Sequence, residues 1–118
     1  MSFASLDALK AQLATSPDTI EFADVIALID AEFVFTPSAF GNGEVNNEAG
    51  QNNGSCKLLA LGQYLELDKD QTLALFGRFY REDVLGNPGG SDHANIRNFM
   101  QSGQAGVAFA QFPLVAKA

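Results

Sequence analysis

The chain has one cysteine, one histidine and seven basic residues among its 118, and each scarcity excludes something. A lone thiol, Cys56, forbids an internal disulfide and any multi-cysteine zinc site, which fits a reducing compartment. A lone imidazole, His93, has no second histidine or cysteine at ligand spacing, so neither a metal nor another cofactor is expected. The few bases are also badly placed for nucleic acid. Residues 1–56 hold eight acids against Lys10 alone, residues 57–118 hold six acids and six bases, and the net charge is −7. A phosphate backbone needs a cationic face, so nucleic acid is excluded as a partner. Long apolar runs are missing too. The N-terminus, MSFASLDALKAQLATS, has no basic region followed by an apolar core, so the sequence predicts no secretory signal, no membrane span and a cytoplasmic protein.

What is present suits one domain over residues 1–118. With 47% hydrophobic and 18% charged residues, such a chain buries roughly two-thirds of its unfolded surface. Leu6, Leu9 and Leu13 recur at helical spacing, and Ser16-Pro17 closes that segment. Asp18 and Glu21 have capping-box spacing, and Phe22, Val25, Ile26 and Ile29 then mark a second helix. In EFVFTP the period drops to two, predicting a strand through Phe33 and Phe35. Residues 36–54 have four glycines, five asparagines and no apolar periodicity, and read as a long loop with turns at Asn42-Gly43 and Asn53-Gly54. Ser55 can cap a third helix through Leu58, Leu59, Leu61 and Leu65. Asp68 with Gln71 opens a fourth, through Leu73, Phe76, Phe79 and Tyr80, which Gly86-Asn87-Pro88 stops. Ser91 or Asp92 can cap a fifth with Ile96, Phe99 and Met100 inward, and Val107 and Phe109 alternate as a closing strand. The expected fold is a small, mostly helical α+β domain of about five helices, with two short strands that could pair with each other.

Chemistry has few places to reside. Cys56 falls in the first turn of the third helix, where free amides and the helix dipole, with Lys57 beside it, could lower a thiol pKa or hold a bound anion. The alternative is a buried cysteine packing as a small hydrophobe. His93 and Arg97 lie on one face of the last helix and could bind an anion, or His93 could act as base to Cys56 if the fold brings them together; a cap or surface role is the plain alternative. Asn42, Asn46, Asn52, Asn53, Ser55 and Asn95 add amide and hydroxyl groups able to bind a polar ligand. The stretch from Gly50 to Lys57 is not a phosphate-binding P-loop, since the lysine comes three residues after Gly54 and no Ser or Thr follows it. In FGRFYRED the aromatics at helical spacing read as core and Arg78 and Arg81 as solvated.

Taken together, FGNGEVNNEAGQNNGSCK and TLALFGRFYREDVLGNPGGSDHANIRNFMQSG resemble the HopJ type III effector family over residues 33–103. The resemblance implies a bacterial protein of effector type, acting through a binding partner and exported by a type III system. It brings no assignment of catalytic residues. The leucine stripe of the N-terminal segment departs from the flexible, serine-rich signals of type III export. Three roles follow: an interaction protein using the acidic N-terminal half, a small enzyme or anionic-ligand binder around Cys56, His93 and Arg97, or a purely structural subunit.

Overall fold

A computed structural model describes Ser5–Lys117. Helix α1 (Leu6–Thr15) is started by Ser5, whose hydroxyl accepts from the Ala8 amide at 3.1 Å, and buries Leu9 and Leu13. Asp18 does not cap helix α2 (Phe22–Glu32). Pro17 draws Asp18 into a short 3₁₀ turn, Pro17–Thr19, and the helix starts at Glu21 without a side-chain cap. Val25, Leu28 and Ile29 then enter the core.

Among the described residues, five short strands form two antiparallel sheets. Strand β1 (Phe33–Phe35) pairs with β5 (Leu114–Ala116), Phe33 opposite Ala116 and Phe35 opposite Leu114. The expected pairing of the two legible strands is therefore wrong. β4 (Val107–Phe109) instead joins β2 (Phe40–Asn42), and β2 also pairs with β3 (Val45–Asn47). The supposed loop thus holds a β-hairpin. Gly43, at φ +61°, opens its two-residue turn, a position where positive φ favours glycine.

Helix α3 (Asn53–Tyr64) runs through the centre with Cys56, Leu58, Leu59, Ala60 and Leu61 buried. Helix α4 (Lys69–Ala74) begins with the expected capping box, the Gln71 amide donating to Asp68 at 2.7 Å. It does not continue to Gly86. Gly77 takes φ +60°, and after it the chain winds as a π-helical segment, Phe79–Val84. Helix α5 (Ala94–Ser102) packs Ile96 and Phe99 inward and stops at Gly103, φ +62°. The protein is accordingly α+β, as the sequence predicts, with more strands than could be read from it. No helix among the described residues is long and apolar enough to cross a membrane.

Gly77 has two reasons to be glycine. Its φ is positive, and a Cβ there would lie 2.7 Å from the Phe22 backbone nitrogen. Gly77→Ala should lower the unfolding free energy by about 1–3 kcal/mol, read as a reduced urea midpoint at unchanged slope; an unchanged midpoint would contradict this packing.

Candidate functional site

Helices α3 and α5 begin far apart in sequence, and both begin with a left-handed residue. Asn52 has φ 54° and ψ 48°, His93 has φ 52° and ψ 49°, and neither side chain caps its helix. An extended N-cap Ser or Asp would have accepted from these first amides. Here the amides of Gly54, Ser55, Ala94, Asn95 and Ile96 have no acceptor among the described residues. All five residues line one cleft of about 410 Å³, together with Phe22, Val45, Asn52, Phe76, Phe79 and His93.

A buried cluster of amide side chains fixes the two helix starts. Asn47 Oδ1 accepts from Asn52 Nδ2 at 2.7 Å and from Asn95 Nδ2 at 3.0 Å, so one residue of β3 holds both. Asn95 Oδ1 in turn accepts from Asn42 Nδ2 and Asn47 Nδ2, and Asn42 also donates to the Asn95 carbonyl at 2.7 Å. Asn42, Asn47 and Asn95 are all buried.

The aromatic wall comes from elsewhere. Phe22 and Phe79 meet edge to face with centroids 5.0 Å apart, and the Phe79 ring lies 5.4 Å from the His93 ring. Gly54 permits this closeness, since a Cβ there would stand 2.9 Å from Phe22 Cζ. His93 Nε2 is 3.1 Å from Asp83 Oδ2 and 3.8 Å from an oxygen of Asp92.

Several candidate residues are placed otherwise than catalysis would require. Cys56 is 1% exposed and does not line the cleft. Burial raises its thiol pKa, and the Ser38 backbone N–H, donating to the sulfur, only partly opposes that. The helix-start argument for an activated thiolate fails, because desolvation outweighs the dipole at this depth. No hydrogen bond joins Cys56 to His93 among the described residues, so the nucleophile and base are not brought together. Lys57 turns away to Asp30 at 2.9 Å and over the Phe35 ring. Arg97 is committed to the turn before its helix, donating to Asp92 Oδ1 at 2.6 Å and to the carbonyls of Asp92 and Asn87. That hydrogen bond holds the Asp92 carboxyl below its ordinary pKa. Asn46 lies in a separate shallow recess of about 280 Å³ with Ala39, Gly41 and Ala108, and exposed Asn53 lines neither hollow. No group of three or more His, Cys, Asp or Glu able to hold a metal occurs among the described residues.

Of the candidate residues, the cleft gathers Asn52, Ser55, His93 and Asn95. Phe22 and Phe79 were passed over as core positions, and Val45 and Asn47 as loop. Phe79 is 39% exposed. The one sequence signal for its different role was Gly77 inside an apparent helix.

An α+β domain with two helix starts and an aromatic wall around one cleft defines a small protein with a ligand-sized hollow. The family model described as "HopJ type III effector protein" matches residues 6–114, and the chain belongs to that family. It is also similar to the crystal structure of VPA0580, a protein of unknown function. That likeness has TM-score 0.94 and 50% identity, and covers 99% of this chain and 97% of that one. Among curated proteins, none matches.

Two outcomes test the geometry. Asn47→Ala leaves the Asn52 and Asn95 amides without their acceptor and should destabilise the fold by about 1–3 kcal/mol, with amide NMR shifts at both helix starts; shifts confined to β3 would contradict the bridge. Cys56 should resist iodoacetamide at pH 8 in the native protein and react at the ordinary thiol rate in urea, whereas equal rates would show an accessible thiol.

Proposed function

We propose that this protein binds a small anionic or polar molecule in the cleft where α3 and α5 begin. The observation that carries the reading is that five residues from the starts of two helices, whose backbone amides have no acceptor among the described residues, line one hollow. Amides at a helix start point along the dipole and donate to oxygen without needing a charged side chain. The buried asparagine cluster supports the reading because it sets the donors before any ligand arrives, which lowers the ordering cost of binding. As a HopJ family member the protein would act as a binding protein, working in the cytoplasm or after translocation by a type III system. The packing of Leu9 and Leu13, both almost fully buried, favours the cytoplasm, since an export signal in α1 would have to leave the core.

A protein partner is the second reading. Val34 and Val115 face each other across the β1–β5 pair and are 54% and 63% exposed, an apolar cross-strand pair open to solvent.

The test of the first reading is an amide NMR titration of the full chain with a panel of carboxylates, phosphate esters and neutral amides. The signals of Gly54, Ser55, Ala94, Asn95 and Ile96 should move together. Gly54→Ala, whose Cβ would stand 2.9 Å from Phe22 Cζ and disturb the cleft wall, should weaken binding about tenfold, or 1.4 kcal/mol. Silence from the whole panel, or shifts elsewhere only, would overturn the reading. For location, residues 1–30 fused to a reporter in a type III-competent strain should stay inside the bacterium; delivery to host cells would show translocation.

A further inference from the structure

We propose that Asn53 is a self-modification site: in the folded protein its side-chain amide is lost through attack by the Gly54 backbone nitrogen, while the other Asn-Gly pair of the chain, Asn42-Gly43, stays intact. Asparagine is a thermolabile residue, and most so before glycine, where no side chain hinders the following nitrogen from reaching the amide carbon. The remaining asparagines precede a residue with a side chain or, at Asn87, a proline that has no N–H. The fold then separates the two pairs. Asn42 is fully buried, its Nδ2 donates to the Asn95 carbonyl at 2.7 Å and to Asn95 Oδ1 at 3.1 Å, and the Gly43 N–H donates to the Gly106 carbonyl at 3.0 Å. Leaving group and nucleophile are both held. Asn53 is exposed, its side chain has no hydrogen-bond partner among the described residues, and neither has the Gly54 N–H.

The chemistry needs only solvent. Hydroxide removes the Gly54 amide proton, and the positive end of the α3 dipole stabilises the anionic nitrogen that results. That nitrogen bonds to Asn53 Cγ, the Cγ–Nδ2 bond breaks, and Nδ2 takes up a proton from water and leaves as ammonia. Water then opens the five-membered imide at either carbonyl, to aspartate or to isoaspartate. The whole change exchanges an amide and a water for an acid and ammonia, with nothing oxidised or reduced. Asn53 must leave helical geometry for the ring to close. Since α3 has no side-chain cap, opening its first turn breaks no cap contact, and fraying ends are among the segments that open most readily. At Asn42 the same motion would open the hairpin and its buried amides. Packing also retains the labile pair, because a Cβ at Gly54 would stand 2.9 Å from Phe22 Cζ. The product sets a carboxylate beside Gly54 and Ser55 of the cleft, and isoaspartate in addition lengthens the main chain there.

The experiment incubates the full chain at mildly alkaline pH, folded and in urea, and follows acid formation at each asparagine by peptide mapping with tandem mass spectrometry. Isoaspartate is read separately by labelling with an isoaspartyl methyltransferase. In the folded protein Asn53 should convert at least about tenfold faster than Asn42, a barrier difference of about 1.4 kcal/mol. In urea the two rates should converge, because the fold and not the local sequence separates them. Conversion of Asn53 should quicken as pH rises, as removal of an amide proton requires, and isoaspartate should appear among its products. Equal rates in the folded protein, conversion of Asn53 only in urea, or a preference for Asn53 that urea leaves unchanged would overturn the proposal. A rate that does not change with pH, or aspartate as the sole product, would replace the ring closure by direct hydrolysis and overturn it as well.

Discussion

Four asparagine side chains hold this structure in register, and most of what is distinctive about it depends on them. A buried primary amide without partners costs several kcal/mol, so a cluster of amides is tolerated only where its members satisfy one another. Asn47 accepts from Asn52 and Asn95, while Asn95 accepts from Asn42 and Asn47. Among their side-chain atoms only Asn42 Oδ1 is buried without a partner among the described residues. The members come from β2, β3 and α5, with Asn52 standing just before α3. Sliding any of these elements against the others would orphan several donors at once. Leucines in their place would pack without specifying direction, and the relative positions of the two helix starts would be free to drift.

That arrangement also explains why both helices dispense with ordinary caps. Ser91 and Asp92 precede His93, the residue before α5, and a conventional N-cap from either would have covered the first amides of the helix. The Asp92 carboxylate is instead drawn to Arg97, and the left-handed His93 starts the helix with its ring turned to Asp83 and Phe79. At α3 the left-handed Asn52 sends its side chain to Asn47, not to the amides ahead of it. In both places a side chain able to satisfy the helix has been given another partner. The uncapped amides are therefore a consequence of the surrounding contacts, and the left-handed backbone, unfavourable for residues other than glycine, is maintained by them.

This logic marks the limit of what the sequence could reveal. Helices α1, α2 and α3 were legible because their leucines, valines and isoleucines repeat at helical spacing, and those residues are the core. The hairpin was not. Its inward residues are Phe40, Asn42 and Asn47, so the buried face is largely amide and the alternation that betrays a strand is hidden. Asn52, Ser55, His93 and Asn95 could be singled out as residue types able to bind. Their convergence could not, because it is set by hydrogen bonds spanning 48 and 53 positions. Cys56 misled for a related reason: its place in the helix suggests a lowered pKa, but burial depends on what packs above it, here the segment carrying Ser38.

The aromatic wall depends on the break at Gly77. In an uninterrupted helix Phe79 would follow Phe76 by one turn and point into the same core. The left-handed glycine and the π-helical turn after it, closed by the Leu85 amide donating to the Tyr80 carbonyl at 3.0 Å, leave Phe76 buried and place Phe79 at the surface. The same turn delivers Asp83 to His93 and Arg81 to the Ile20 carbonyl at 2.6 Å, just before Phe22. Gly77 itself lies against the Phe22 backbone. The irregular segment therefore fixes both edges of the wall: Phe22 through the backbone around it, and Phe79 through its own winding. Irregular windings of this kind are often found at functional sites. Here the winding has a definite mechanical result: Phe79 lies at the surface against Phe22, in the wall of the cleft that the starts of α3 and α5 also line.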